Sequence, residues 1–377
     1  MSDVRPYRYF FALPPETGGR LDYVAYLFIV DAQGRFACQN RVGEDVLEML
    51  PRIFPAVSGA EFLNDSAPKL RRFALVSSEE QVCSSEDLQL ENCRCEQKAL
   101  CWVGAKEDCS EEWLARLGFV DRKPLSPQRV SDRPALSELC WQSFRSLILF
   151  CPEWQIGLLA RAKELVYFSQ EYLFCCRCGR PLEWLEGEFG KSCASCARVF
   201  FPRQDPSIIS LVCRKANDGS GREWLLLAHN KNFRPQLYSL IAGFVDAGET
   251  LEQAVVREVW EEAGVRLSEL RYMYSQAWAE PHALMAGFLA YGEGGGQPDG
   301  KEILSLLWLE RADILRCLEQ RKRRVPNRAP EGVLLLSQCR ENYELLGKVD
   351  TTGFCLPQRG SIACKLIEQW AYFPESF

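Results

Sequence analysis

Apolar residues recur four apart at Leu251, Val255 and Val259, and from residue 250 to 263 good helix formers dominate with no breaker among them. That spacing lays one apolar stripe along a helix and turns it toward a core. On either side the rhythm shortens to runs of strand length: 207–213, 223–229 and 238–242 before the helix, then 270–276, 284–291 and 304–309 after it. Helical spacing returns over 311–320, and again up to Trp370 from a cap at Gly360 or Ser361. Elements in this order predict a C-terminal α/β/α sandwich with a mixed sheet.

The first 130 residues carry a weaker pattern. Loose alternation over 23–30 passes through Asp31-Ala32-Gln33-Gly34 into 35–37, the form of a hairpin. Residues 71–76 and 99–104 read as further strands, and 111–118 as a short helix stopped by Gly118. A proline-marked stretch, 124–134, leads to helical periodicity over 136–172 that Pro152 interrupts. The expected organisation is α+β throughout: a divergent N-terminal α+β domain (1–130), a linker and helical segment (131–173), a cysteine module (174–203) and the sandwich (204–377).

Composition narrows the function classes. A chain of 377 residues has room for two or three domains. A formal net charge of −6 argues against a general nucleic-acid binder, although a bound divalent cation would reverse the local field for an anionic substrate. The N-terminal residues place arginines within their apolar portion, unlike a secretory signal, and no run nears the roughly 20 apolar residues of a membrane span. Eighteen cysteines without an export signal read as reduced, cytoplasmic thiols with one metal site among them. Only His229 and His282 exist, so acid–base chemistry falls to carboxylates.

The metal site is legible as Cys175-x-x-Cys178 and Cys193-x-x-Cys196. Two such knuckles deliver four thiolates to a tetrahedral Zn²⁺, a closed and therefore structural site. Cys93, Cys95, Cys101 and Cys109 lack that spacing and read as structural thiols. On the predicted helix, Glu258, Glu261 and Glu262 share one face, where like charges repel by about 0.2–0.5 kcal/mol per pair. Hard oxygen ligands on a rigid face suit Mg²⁺ or Mn²⁺, and Arg257 beside them can orient a carboxylate. A loose acidic pattern of this kind ordinarily means only a solvated face. The basic run at 321–324 reads as solvated, or as facing phosphate or RNA.

The complete spacing is stricter. It runs Gly243, five residues, Glu249, seven residues, Arg257-Glu258-Val259, one residue, Glu261-Glu262, one residue, Gly264-Val265. Every fixed position of a Nudix box is filled, so the segment resembles the signature of hydrolases that cleave a nucleoside diphosphate linked to another group. The four-cysteine ribbon, Phe201-Pro202, Ala242-Gly243-Phe244, Ser275-Gln276-x-Trp278, Lys301-Glu302 and residues 360–370 are similar to the NADH pyrophosphatase (NAD⁺ diphosphatase) family. The similarity covers residues 159–377, apart from an insertion near 321–350.

That resemblance implies hydrolysis of NADH or NAD⁺ to AMP and nicotinamide mononucleotide, removal of NAD caps from RNA, and a homodimer. It implies Mg²⁺ or Mn²⁺ held by Glu258, Glu262, Glu302 and the carbonyl of Ala242, with Glu261 a further ligand or base and Arg257 and Glu249 in the catalytic set. It implies substrate contacts from Phe201, Phe244, Gln276, Ala277, Trp278, Ala279, Glu280, Pro281, His282, Ala283 and Ala363. One stretch departs from the family, in which Ser-Gln is followed by Pro-Trp-Pro-Phe-Pro. Here Ala277 and Ala279 loosen the loop and Glu280 brings a carboxylate toward the substrate. ADP-ribose or a diadenosine polyphosphate is therefore the alternative substrate, and a catalytically silent nucleotide-sensing module the alternative class.

Overall fold

The structure, a computed structural model, describes residues 142–149, 153–185, 188–216, 219–322, 334–339, 343–347 and 353–373, together with seven strands before them. Contacts divide the chain into two compact units, Met1–Arg203 and Gln204–Phe377. Among the described residues no helix is long and apolar enough to cross a membrane.

In the first unit, β1 (Tyr9–Phe10), β2 (Val24–Val30), β3 (Phe36–Gln39), β4 (Arg52–Ile53), β5 (Arg71–Ser77), β6 (Lys98–Ala105) and β7 (Leu139–Gln142) form one sheet. Its order is β1-β5-β6-β2-β3-β7, with β4 beside β2. The expected hairpin is β2 antiparallel to β3, while β2 runs parallel to β6. One expectation changes here. Residues 139–142, read as part of a helical stretch, are a strand that pairs with β3, so this sheet draws chain from beyond residue 130. The expected helix at 111–118 and the linker at 124–134 lie outside the described residues, as do Cys93, Cys95 and Cys109.

Helices α1 (Phe144–Leu147) and α2 (Glu153–Glu171) follow, then a three-stranded ribbon of β8 (Glu183–Trp184), β9 (Lys191–Ser192) and β10 (Val199–Phe200). Lys191 joins helix to ribbon. Although only 3% exposed, its ammonium donates to the carbonyls of Phe168, Ser169 and Tyr172 at 3.3, 3.0 and 2.7 Å and lies over the Phe168 and Trp184 rings. A buried cation is tolerable because the carbonyls at a helix C-terminus, at the negative end of its dipole, are the partners it needs.

The second unit is the sandwich. Strands β11 (Asp205–Lys215), β12 (Glu223–Asn230) and β13 (Ile241–Phe244) precede helix α3 (Leu251–Ala263). After it come β14 (Arg266–Trp278), β15 (Ala283–Glu293), β16 (Ile303–Glu310) and α4 (Arg311–Lys322). Then follow β17 (Leu334–Leu335), β18 (Glu344–Gly347), β19 (Gly353–Phe354) and α5 (Ile362–Tyr372). The sheet runs β14-β15-β11-β12-β16-β18 with β13 on β11; it is mixed because β11 and β15 are parallel and the other pairs antiparallel.

Strand alternation splits the core. On β11, Ile208 and Val212 join Phe288, Trp308 and the Val255–Val259 stripe of α3, whereas Ile209, Leu211 and Cys213 join Ile314, Ile367 and Trp370 of α4 and α5. The segment read as an insertion is not wholly peripheral, because β18 within it pairs with β16 and completes the sheet edge.

Candidate active site

Helix α3 is placed by its ends. Thr250 and Gln253 form a reciprocal capping box, and Gly264 closes the helix in the left-handed region at φ 63°. Val255, Val259, Ala254 and Ala263 are fully buried, and Arg257, Glu258, Glu261 and Glu262 line one edge of the helix, where Glu262 is buried, Arg257 and Glu258 are half-buried and Glu261 is exposed.

Arg257 is the hub of that edge. Its guanidinium forks onto Glu249 at 2.6 and 2.9 Å, and reaches Glu258 at 2.9 Å and Glu261 at 3.2 Å. It also donates to the Phe244 carbonyl at 2.9 Å. Glu249 in turn accepts the Asp246 backbone N–H, and the Arg257 fork holds its carboxyl below the ordinary glutamate range. Glu249 and Arg257 therefore form a brace that fixes Glu258.

Glu262 has no such cation. Burial, and then the charges of Glu258, Glu302, Asp299 and Glu261, push its carboxyl up to about 8. Asp299 escaped the reading of the sequence. Its carboxylate accepts the N–H of Glu302 at 3.2 Å and of Ile303 at 2.8 Å, and its own N–H donates to the Glu262 carbonyl. The loop carrying Glu302 is thus seated on the end of α3. The turn residues Pro298-Asp299-Gly300 were the available signal.

Gly243 has a steric reason. A Cβ there would lie 2.0 Å from Glu258 Oε1, so the Glu258 carboxyl occupies the space a side chain would need. Gly243→Ala is expected to displace Glu258 and lower kcat by about 100-fold, since roughly 1 Å of misplacement can cost that much. Steady-state kinetics alongside a thermal melt checks it.

The strand β14 brings Ser275 to Trp278 to the sheet edge, where they pair with Ala283 to Ala286 of β15. Ala277 and Trp278 are half-buried; Gln276, Ala279, Ala283 and Ala363 are buried. Glu280 and His282 are half-buried and Pro281 exposed, and the His282 carbonyl accepts the Asp205 N–H. Gln276 is engaged with backbone: its Nε2 donates to the Gly360 carbonyl at 2.8 Å and its Oε1 accepts the Ile362 N–H at 2.7 Å. Together with Ser361, the N-cap of α5, it secures the start of the terminal helix and hence Ala363. Gln276→Leu is expected to destabilise by about 1–3 kcal/mol and raise hydrogen exchange at 362–372.

Phe244 is 47% exposed in this unit, and Phe201, in the first unit, is 55% exposed with its ring packed against Gly190. Of the basic run, Arg321 is buried, donating to the Leu356 and Pro357 carbonyls and to Cys364 Sγ, so it is not a solvated or phosphate-facing residue. Residues 323 and 324 lie outside the described residues.

In the ribbon, the sulfurs of Cys175, Cys178, Cys193 and Cys196 all lie within 4.8 Å of one another. Cys175–Cys196, Cys178–Cys193 and Cys178–Cys196 stand 3.5, 3.4 and 3.9 Å apart. A tetrahedron with metal–sulfur bonds of about 2.3 Å has edges near 3.8 Å, so the quartet fits a zinc-sized ion. Backbone N–H donation, chiefly from Arg177, holds the Cys175 thiol down to about 6, and that of Cys196 lowers Cys193. Among the described residues no three carboxylates converge so closely; Glu258 is turned onto Arg257 instead. The carboxylates around Glu262, with Glu258 and Asp299 half-buried and Glu302 and Glu261 exposed, are nonetheless the donor set a hard divalent cation takes.

Sheet, capped helix and acidic edge define a Nudix domain, and residues 206–329 match the NUDIX domain family. The NAD-capped RNA hydrolase NudC of Chromobacterium violaceum is 42% identical over 182 residues, 48% of this chain and 66% of that protein. NudC of Deinococcus radiodurans is 36% identical over 202 residues (53% and 70%), and that of Pseudomonas aeruginosa 35% over 208 (52% and 72%). Matches to these and similar relatives span from 55% to 72% of the relatives' length. The chain belongs to the NADH pyrophosphatase family of Nudix hydrolases.

Proposed function

We propose that the protein hydrolyses the pyrophosphate bond of NADH and NAD⁺, giving AMP and nicotinamide mononucleotide, and cleaves the same bond in the cap of NAD-capped RNA, releasing nicotinamide mononucleotide and leaving a 5′-monophosphate on the RNA. The observation that carries this reading is the Arg257 brace on Glu249, Glu258 and Glu261 beside the buried, cation-poor Glu262. The names of the NudC relatives support the choice of substrate.

In this reading Glu258, Glu262, Glu302 and the Ala242 carbonyl hold Mg²⁺ or Mn²⁺, with Glu261 as a further ligand or base. Such a cation supplies Lewis acidity to phosphate oxygens and acidifies water. The chain's own residues do the rest. Arg257 keeps Glu258 oriented, and Glu249 keeps Arg257 charged and in place. Glu262 holds a proton near neutrality when no cation is bound, so its carboxylate is available only to a competing positive charge. Exposed Phe244 offers an aromatic face to a base, and Ala277 to Ala283, with Trp278 among them, and Ala363 line the substrate. The cysteine quartet holds a structural Zn²⁺, and the enzyme works as a cytoplasmic homodimer.

One observation favours a second reading. Glu280, half-buried in the loop between β14 and β15, would repel a phosphate where the family resemblance has an aromatic ring. ADP-ribose or a diadenosine polyphosphate would then be preferred. A panel of kcat/KM values with Mn²⁺ decides: NADH leading supports the first reading, ADP-ribose or the diadenosine compound leading the second.

A further inference from the structure

Glu258 has Arg257 as a brace, but Glu302 has none of its own. It is exposed, and among the described residues no hydrogen bond or ion pair holds its carboxylate. Where that carboxylate reaches is therefore set by where its backbone is held.

The backbone hangs on Asp299. Oδ1 of Asp299 accepts the Ile303 N–H at 2.8 Å and the Glu302 N–H at 3.2 Å, and Oδ2 accepts the same Glu302 N–H at 3.2 Å. The Lys231 N–H meets the Glu302 carbonyl at 2.8 Å. On the other side, the Asp299 N–H donates to the Glu262 carbonyl at 3.3 Å, and the Gln297 N–H to the Ala263 carbonyl at 2.7 Å. The last carbonyls of a helix lack partners within it, so this loop supplies donors that the end of α3 needs. The start of the loop is pinned from the sheet, where the Trp308 indole donates to the Gly295 carbonyl at 2.7 Å. One residue is thus hydrogen-bonded to the backbone of both Glu262 and Glu302. An aspartate in a turn ordinarily does no more than satisfy nearby N–H groups. Here the two groups it joins belong to two proposed ligands of one cation, and both of its oxygens are engaged by N–H groups, which suits a holder better than a ligand.

We propose that Asp299 is a positioning residue for the catalytic cation: by tying the Glu302 backbone to the end of α3 it fixes the reach between the Glu262 and Glu302 carboxylates, and so sets the affinity for Mg²⁺ or Mn²⁺. The proposal rests on the reading of Glu262 and Glu302 as ligands. Asp299 acts through the shape of its acceptor, not through its charge. Oδ1 alone reaches both N–H groups, so a neutral amide oxygen in that place does the same work.

Three substitutions separate shape from charge. Asp299→Ala removes the acceptor, Asp299→Asn keeps Oδ1 and drops the charge, and Asp299→Glu keeps the charge on a longer side chain. The full-length, zinc-loaded protein is titrated with Mn²⁺ in the absence of substrate, with free Mn²⁺ counted by electron paramagnetic resonance. The binding that Glu262→Gln abolishes defines the site. Asp299→Ala should bind Mn²⁺ there about 10–100-fold more weakly, the usual effect of removing the partner behind a metal ligand. Asp299→Glu should be weakened likewise, and Asp299→Asn should recover most of the affinity. Hydrogen exchange at the Glu302 and Ile303 amides should quicken in the alanine and glutamate variants and stay slow in the asparagine variant. With NADH, the Mn²⁺ concentration that Asp299→Ala requires should rise, while its kcat at saturating Mn²⁺ approaches the parent value. Unchanged affinity in Asp299→Ala, or no Glu262-dependent Mn²⁺ binding by the parent, overturns the proposal. So does an asparagine variant as weak as the alanine one, because charge would then be what Asp299 supplies. Should Asp299→Ala fail to fold, the other two decide: tighter Mn²⁺ binding by Asp299→Glu than by Asp299→Asn overturns it. A parent protein that binds Mn²⁺ in this pattern and leaves NADH intact is a separate failure, of the substrate reading alone.

Discussion

Glu262→Gln is expected to lower kcat for NADH by about 10²–10⁴-fold, the range typical for a residue handling the reacting proton or its charge, while the protein stays folded. Few residues in the second unit combine such burial with so much surrounding negative charge. The same substitution has a second signature. The folded-state carboxyl titrates near 8 against an ordinary 4.5, so between those pH values the unfolded chain has lost a proton that the folded chain keeps. Stability from this group therefore falls as pH rises through that window when divalent cations are chelated. Melts of the two proteins from pH 5 to 9 in chelator should show the parent losing stability relative to Glu262→Gln, and Mn²⁺ should remove the difference. Full activity in the variant would displace Glu262 from the catalytic set.

Replacing Cys178 and Cys193 by serine is expected to have the larger structural effect. A four-thiolate zinc contributes on the order of 10–16 kcal/mol to folding its own module, and β8, β9 and β10 are two residues each, too short to hold a sheet without it. Zinc should fall from one ion per chain to none, and hydrogen exchange over 174–200 should lose its protection. Protection in α3 should persist, because its core is built from β11, β12, β15 and β16. A ribbon that kept its protection without zinc would mean the cysteines are ordinary thiols.

Much of this is legible in the chain itself. The apolar stripe of Leu251, Val255 and Val259 and the cap at Ser361 are local signals, and the elements of the sandwich begin and end within a few residues of the expected positions. Periodicity could not reveal features that depend on a distant partner. Leu139–Gln142 looks helical by spacing but is drawn into a sheet by Phe36–Gln39, about a hundred residues earlier. Gln276 looks like a ligand residue in a polar motif, yet its amide finds Gly360 and Ile362. Arg321 heads a basic run but is turned inward by the Leu356 and Pro357 carbonyls before α5 and by Cys364 Sγ within it. Asp299 acts through a turn whose docking onto α3 only the folded chain shows.

For Gln276 and Arg321 the residue's chemistry is local, while its partner is set by the fold. Glu249 illustrates the middle ground: its spacing within the box was plain, while its task as the anchor of Arg257 emerged from two hydrogen bonds.

The most direct measurement of the central claim is the product ratio from NADH. Purified protein with Mn²⁺ and NADH, resolved by chromatography over a time course, should yield AMP and reduced nicotinamide mononucleotide in equal amounts, both absent with Glu262→Gln. Intact NADH alongside rapid turnover of another nucleoside diphosphate derivative, or nicotinamide and ADP-ribose in place of AMP, would contradict it.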